Sequence, residues 1–356
     1  MGLVIIVQQE IKRIFNNMEF SKKNFNQQLN QIYDTIIVGG GAGGLSAGIY
    51  LQRFRLSSLI IDKGKARSFW MQELHNYLGL SPNTPGRVLL QNGKEHYASL
   101  DGDFLNAYVE EVVDEGETFA VKVKVGRVNG VDAVFRSRYL IAASGIIDYL
   151  PPLDEMRNVY EYAGYNLHVC MVCDGYEMTD KKCGFFAGSE ASIEEMVFNL
   201  SWFTPYITVF THGSFEVSPE MRYKLREHGY PLVKTPIKQF LGQNHQMTGV
   251  ELVDGSMIEL ETGLISMGSR YHHTYLQGIN LEMKGGNLVT DKMCRTSHPR
   301  IFAIGDLKVG LNQVVIAAGD GALAATQIWR DIRCANGARR WEENVNYPGS
   351  NEVGPG

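Results

Sequence analysis

The sequence predicts an α/β protein of two three-layer domains, the first discontinuous and the second inserted into it. Three observations predict this. An apolar run, Tyr33–Val38, passes directly into a glycine cluster, Gly39–Gly44, and then into small residues through Arg53. A similar strand–turn–helix order recurs over residues 182–200. A third apolar run, Arg300–Ile304, ends at Gly305-Asp306 and leads into another small-residue helix, so the last part of the chain returns to the first domain. The expected boundaries are an extension over 1–31, a first domain over 32–152 and 285–340, an inserted domain over 153–284, and a tail over 341–356.

At 356 residues the chain can bury two full cores, and 44% hydrophobic with 21% charged residues is ordinary globular composition. A net charge of -5, with no basic stripe interleaved with aromatics, argues against a nucleic-acid partner. Five cysteines do not make a secreted disulfide framework, so a reducing, cytoplasmic setting is expected. The opening Gly2–Val7 run is too short for a signal segment, and no run reaches membrane-spanning length. Residues 1–31 read as a polar, mobile arm, or as a start-codon artefact with Met18 as the true beginning.

Gly39-x-Gly41-x-x-Gly44 sits in the strand–turn–helix context that dinucleotide binding requires, in a Rossmann-like unit. Gly39 allows the tight turn, and Gly41 lets the backbone approach a pyrophosphate. Gly44 allows close helix–strand packing, while Ala42 and Gly43 open the helix whose N-terminus faces the phosphates. Asp62 ends the second strand 18 residues after Gly44, where a carboxylate binds ribose hydroxyls. The alternative is a merely glycine-rich βα turn.

Residues 65–95 read as an irregular segment punctuated by Asn76, Gly79, Pro82, Pro85 and Gly86. An apolar run at Ala107–Val113 and the alternating Phe119–Val125 suggest a hairpin. A buried strand, Tyr139–Ala143, stops at Ser144-Gly145, and Pro151-Pro152 marks the crossover.

The inserted domain carries Cys170-Met-Val-Cys173-Asp174. Two cysteines at this spacing close or open a small disulfide ring, and the adjacent acid can exchange the proton that each change requires. A zinc half-site needs a second ligand pair that the sequence lacks, with His168 the only nearby candidate, so no metal is expected; two inert packed cysteines are the remaining alternative. The following strand enters Ala187-Gly188-Ser189-Glu190-Ala191-Ser192, a second nucleotide-type turn with serines at two glycine positions. After Tyr206–Phe210 comes Thr211-His212-Gly213, without the arginines that a 2′-phosphate wants. This reads as a scaffold that has lost its pyridine nucleotide, or as a weakened site. Glu194 and Glu195 are expected in the helix's first turn, as favourable charges rather than catalysts. Met247–Leu264 gives alternating strands, and His272 and His273 follow as a solvent-facing loop pair.

In the returning segment, Gly305 and Asp306 place a carboxylate at the sheet's ligand edge, where it could hold a ribityl hydroxyl. Asn312-Gln313-Val314 begins a helix through Ile332 whose N-terminal dipole would stabilise an anionic ring. Arg330, Arg333, Arg339 and Arg340 with Trp341 form a basic cluster, either a solvated face or a dock for an acidic partner. Residues 346–356 have a disordered composition.

In this order, over about residues 33–335, the chain resembles the low-molecular-weight thioredoxin reductases among flavoprotein disulfide reductases. The resemblance implies an FAD domain split around an inserted domain. The family's Ala-Thr-Gly turn stands here as Ala143-Ser144-Gly145 and its Arg-Gln-Ala contact as Asn312-Gln313-Val314; Lys63 and Asn76 join the expected FAD contacts. It further implies that Cys173 faces the flavin, that Cys170 is the interchange thiol and that Asp174 is the acid/base. The departures at Ser189, Ser192 and residues 211–217 resemble the pyridine-nucleotide-independent branches, so NADPH is not expected. The donor would then be ferredoxin, another acidic carrier, or a second FAD in the vacated region. The expected target is a thioredoxin-like disulfide protein or a small disulfide or dithiol. The resemblance also implies a homodimer, with Trp341 or Tyr347 shielding the flavin. Alternatives are a dithiol oxidase passing electrons to oxygen, a non-catalytic flavin sensor, and an ordinary NAD(P)H-dependent reductase.

Overall fold

The computed structural model describes residues 25–335 apart from 65, 82 and 127–129. The expectations for the N-terminal arm, for Arg339, Arg340, Trp341 and Tyr347, and for the tail lie outside the described residues.

The first sheet is built on β1 (Ile32–Val38), β2 (Ser58–Asp62), β3 (Asp103–Asp114), β4 (Phe119–Val125) and β5 (Val131–Ala142). β1 pairs in parallel with β2 and β5, and β2 with the start of β3. β4 runs antiparallel between the outer parts of β3 and β5. β1 and β2 are buried almost throughout, as parallel strands covered on both faces require. On one face lies α1 (Ala42–Arg53), joined by α2 (Gly86–Ser99). The glycines of α1 let another helix press on it: a β-carbon at Gly43 would stand 3.0 Å from the Ala317 carbonyl, and Ser46 donates a 2.7 Å hydrogen bond to Ala318.

α2 corrects the expectation of an irregular segment over 65–95. Pro85 and Gly86, read as punctuation, are the N-cap and first residue of the helix; Gly93 leaves the space that Leu45 fills, and Leu90 and Tyr97 are buried. β5 likewise starts at Val131, well before Tyr139, because its outer half alternates buried and exposed residues against β4.

A short crossover strand, β6 (Ile146–Asp148), leads into the inserted domain. There β7 (Leu167–His168), β8 (Cys183–Ala187), β9 (Ile207–Phe210), β10 (Leu232–Val233) and β14 (Thr262–Ser266) form a second, all-parallel sheet in the order β10-β9-β8-β14-β7. An antiparallel sheet of β11 (Ile237–Gln243), β12 (Gln246–Leu252) and β13 (Met257–Glu259) packs beside it. The helices α3 (Met171–Asp174), α4 (Glu190–Leu200) and α5 (Pro219–Glu227) follow β7, β8 and β9 respectively.

The chain returns through β15 (Ser269–Tyr271), antiparallel to β6, so the two crossovers form one ribbon. Tyr275, Leu276 and Leu281 already belong to the first domain's core, so the return begins before residue 285. β16 (Ile301–Ala303) then joins β5 in parallel, and α6 (Val314–Ala335) packs on α1.

Candidate functional site

At the first βα turn Gly39 has φ +114°, and a side chain there would also overlap the Ala143 carbonyl. A β-carbon at Gly44 would overlap the Gly39 carbonyl, so that glycine serves packing and does not line the cleft. The N-cap of α1 is Gly41, with no side chain capping the helix, which leaves its first amides for a ligand. Asp62 ends β2, 8% exposed, with its carboxylate against Gly40.

Around this turn one cleft collects Gly39, Gly41, Ala42 and Gly43 with Asp62 and Lys63 at one end. Ala143, Ser144 and Gly145 form its side, and Gly305, Asp306, Gln313 and Val314 close the far end, together with Cys173. These are the groups an FAD needs: free helix amides to donate to pyrophosphate, a carboxylate to accept from ribose and a second one, Asp306, near the other end. The buried Nδ1 of His272 has no hydrogen-bond partner among the other described residues and belongs to the same cleft. The residues fit the cofactor.

Cys170 and Cys173 are joined as a disulfide. Cys170 N-caps α3, its sulfur accepting from the Cys173 amide at 3.1 Å, a contact that helps to hold negative charge on sulfur once the bond opens. Gln313 Nε2 stands 3.4 Å from Cys173 Sγ and 3.5 Å from Cys170 Sγ, and Asn76 donates to Gln313 Oε1 at 2.9 Å. Asn76 therefore reaches the disulfide through Gln313 and lies outside the cleft itself. α6 begins at Val314, so Gln313 stands just before the helix with its side chain free to reach the sulfurs.

A second cavity of about 700 Å³ opens on the other side. Both cysteines and Asp174 line it, whereas only Cys173 also lines the FAD cleft. Buried His168 lies with Nδ1 3.1 Å from Asp174 Oδ2. The cavity is roofed across the two domains by Trp70 stacked on Tyr160 at 5.8 Å, and by His75 Nδ1 3.5 Å from Glu177. His75, Asp174 and Glu177 each bring one possible ligand atom within 4.8 Å of the others.

The second βα turn behaves differently from the first. Ser189 caps α4 through the Ser192 amide at 3.2 Å, and the Ser192 hydroxyl reaches back to Ser189 in a complete capping box. The Ser189 and Ser192 amides at this turn are already met by the protein's own serine side chains. α4 starts at Glu190, so Glu190, not Glu194 or Glu195, holds the first turn, and it accepts from the Ser218 amide at 2.6 Å. That places a carboxylate beside the turn.

Several site residues escaped the sequence. Arg67 binds Asp148 at 2.7 and 3.0 Å and reaches Asp306 at 3.5 Å; burial pushes the Asp306 carboxyl above its ordinary range while Arg67 opposes it. Asp320 accepts from the Gly305 amide at 3.1 Å and pairs with Lys308 at 3.2 Å, fixing the turn below Asp306. Neither residue belongs to a motif. His272 and His273 correct the solvent-facing expectation: His273 bonds the Gly286 carbonyl at 2.8 Å and His272 turns into the cleft.

Two family models match the chain: an FAD binding domain over 34–120 and a pyridine nucleotide-disulphide oxidoreductase over 208–321, the latter beginning beyond the Ser189 turn. A thioredoxin reductase from Bacillus subtilis is 26% identical over 315 residues, 84% of this chain and 94% of its own. An oxidoreductase from Agrobacterium tumefaciens superposes with TM-score 0.69 at 28% identity, over 85% of this chain and 99% of that one. A thioredoxin reductase from Streptococcus pyogenes gives TM-score 0.74 at 23% identity, over 86% and 99%. Fold, cleft and matches agree on one class, an FAD-dependent disulfide oxidoreductase of the thioredoxin reductase type. The chain is similar over most of its length to the thioredoxin reductase-like FAD/pyridine nucleotide-disulfide oxidoreductases. No helix among the described residues is long and apolar enough to cross a membrane.

Proposed function

We propose that the protein passes electrons between FAD and an external disulfide through Cys170 and Cys173, with a donor other than NAD(P)H. The observation that carries this reading is the contrast between the two βα turns: the first leaves its helix uncapped for a dinucleotide, and the second is closed by Ser189 and Ser192. Ferredoxin, another acidic carrier or a second flavin then takes the donor's place. The relatives named thioredoxin reductase support a thioredoxin-like disulfide as target, and a homodimeric, cytoplasmic enzyme accords with the same resemblance.

Bound in the cleft, FAD supplies or accepts the electron pair that opens or closes the Cys170–Cys173 bond. The protein's residues do the rest. Cys173 stands on the cleft wall, and Gln313 bridges both sulfurs and holds them in place. Cys170, on the cavity side only, is the thiolate that attacks a target disulfide. One target sulfur leaves as a thiol, Cys173 then displaces the other from Cys170, and the enzyme disulfide re-forms with the target fully reduced. Asp174, oriented by His168, gives and receives the proton at the departing sulfur.

The cavity favours a second reading of the target. Its volume, beneath the Trp70–Tyr160 roof, admits a small disulfide or dithiol without domain movement. With a dithiol the same steps run in reverse and oxygen is the terminal acceptor.

Anaerobic addition of NADPH tests the donor: the flavin should stay oxidised, then bleach on photoreduction and recover when a disulfide is added. Rapid bleaching by NADPH would remove the proposal. Oxygen uptake with a dithiol distinguishes the second reading.

A further inference from the structure

We infer that His272, carried on the second crossover between the domains, is a binding residue for the adenine end of FAD. This rests on the reading that the cleft holds FAD, and adds a contact outside every dinucleotide motif in the chain.

The position of the ring is fixed by its backbone. The His272 amide donates to the Gly145 carbonyl at 3.0 Å, and the Ser144 hydroxyl donates to the His272 carbonyl while meeting Tyr275 Oη at 2.9 Å. The Ser144-Gly145 turn, expected to touch the cofactor itself, thus also clamps the residue that faces it. From there the imidazole reaches the Asp62–Lys63 end of the cleft and meets the Tyr108 ring edge-on at 5.8 Å. Asp62 is the ribose carboxylate of the motif, so this is the adenosine end.

His272 Nδ1 is buried and meets no hydrogen-bond partner among the other described residues. A buried, unmet ring nitrogen is costly, and in a cleft it is the mark of a group awaiting a ligand. Adenine offers both donors and acceptors along its edge, so a neutral imidazole meets it in either tautomer. Burial and the nearby Lys63 and Arg270 hold the imidazole neutral, with its pKa pushed down to about 4. A neutral ring suits a purine better than an imidazolium would.

Fluorescence titration of flavin onto the apoprotein tests the inference, with FMN and ADP as the controls. His272→Phe keeps the ring and loses the nitrogen; His272→Asn keeps a polar atom close to the Nδ1 position. His272→Phe should weaken FAD and ADP roughly tenfold, as loss of one buried hydrogen bond implies, and leave FMN unchanged. His272→Asn should recover most of that loss. Equal FAD affinity in wild type and His272→Phe, or an equal loss for FMN and FAD, would overturn the inference. Failure of the wild-type protein to bind any flavin would instead remove the reading beneath it.

Discussion

His168 Nδ1 lies 3.1 Å from the Asp174 carboxylate, with His168 buried beneath the helix that bears the disulfide. The two residues flank Cys170 and Cys173 in sequence, and the turn of α3 folds them together. In the exchange proposed above, His168 acts through Asp174, by fixing which way its carboxylate faces. Asp174→Asn should slow disulfide exchange by the reduced enzyme about 10²-fold or more, the usual scale for losing a positioned acid/base. His168→Phe should cost less, roughly tenfold, and change the pH profile of the exchange, because the carboxylate remains but loses its orientation. Stopped-flow exchange with a small disulfide reads both; an unaltered rate in Asp174→Asn would remove Asp174 from the mechanism.

Gly39→Ala should yield a protein with little or no bound flavin. The backbone at φ +114° disfavours any side chain, and the added methyl would overlap the Ala143 carbonyl where the two strand ends meet. Flavin content after purification is the readout. Full occupancy would mean that this turn does not hold the cofactor.

The capping box makes a separable prediction. Ser189→Gly with Ser192→Ala removes both side-chain caps and should lower stability by roughly a few tenths of a kcal/mol, since glycine is itself a tolerated N-cap. NADPH should still fail to reduce the flavin, since Glu190 stays in the first turn and no arginine is gained over residues 211–217. Denaturant melts and anaerobic titration measure the two effects independently.

The five cysteines should divide sharply in alkylation. Burial pushes the Cys183 and Cys294 thiols up to about 12, and neither is exposed. Cys334 is exposed, and Cys170 and Cys173, both half-buried, are closed by their bond. At pH 8 the oxidised protein should label at Cys334 alone, and prior reduction should add Cys170 and Cys173. Mass spectrometry of the native labelled protein shows the pattern; rapid labelling of Cys183 would contradict the packing of β8.

His272 gives a pH dependence. Its folded pKa of about 4 lies below the ordinary value of 6.5, so the unfolded chain binds the proton more readily. This group's contribution to stability is therefore constant above pH 6.5 and declines as pH falls from 6.5 towards 4. Burial is its main cause; the charges that add to it are Lys63, Arg270 and His273, with the Tyr108 and Tyr275 rings as neutral neighbours. Apoprotein melts between pH 7 and 4 should fall less steeply in His272→Asn than in wild type.

Motif-borne features were readable from the chain because local geometry dictates them. Gly39, Gly41 and Asp62 each answer a demand of the strand–turn–helix itself, and the buried parallel strands announce themselves as apolar runs. Helix α2 was hidden by the punctuating run Asn76, Gly79, Pro82, Pro85 and Gly86, and its own Gly93 is offset by Leu45 packing into the gap, a tertiary contact that no local pattern shows. Arg67, Asp320 and His272 were hidden for a related reason. Each acts on a residue distant in sequence: Arg67 on Asp148 and Asp306, Asp320 on Gly305, His272 on the Ser144 turn. The serines at 189 and 192 were legible as a departure, but their mutual capping needed the folded turn.

The most direct test of the account is the absorption spectrum of two single variants. If Cys173 stands against the flavin and Cys170 faces the cavity, Cys170→Ser should leave a Cys173 thiolate beside the oxidised ring and show a long-wavelength charge-transfer band. Cys173→Ser should show none. A band in Cys173→Ser, or no band in either variant while flavin remains bound, would contradict the arrangement.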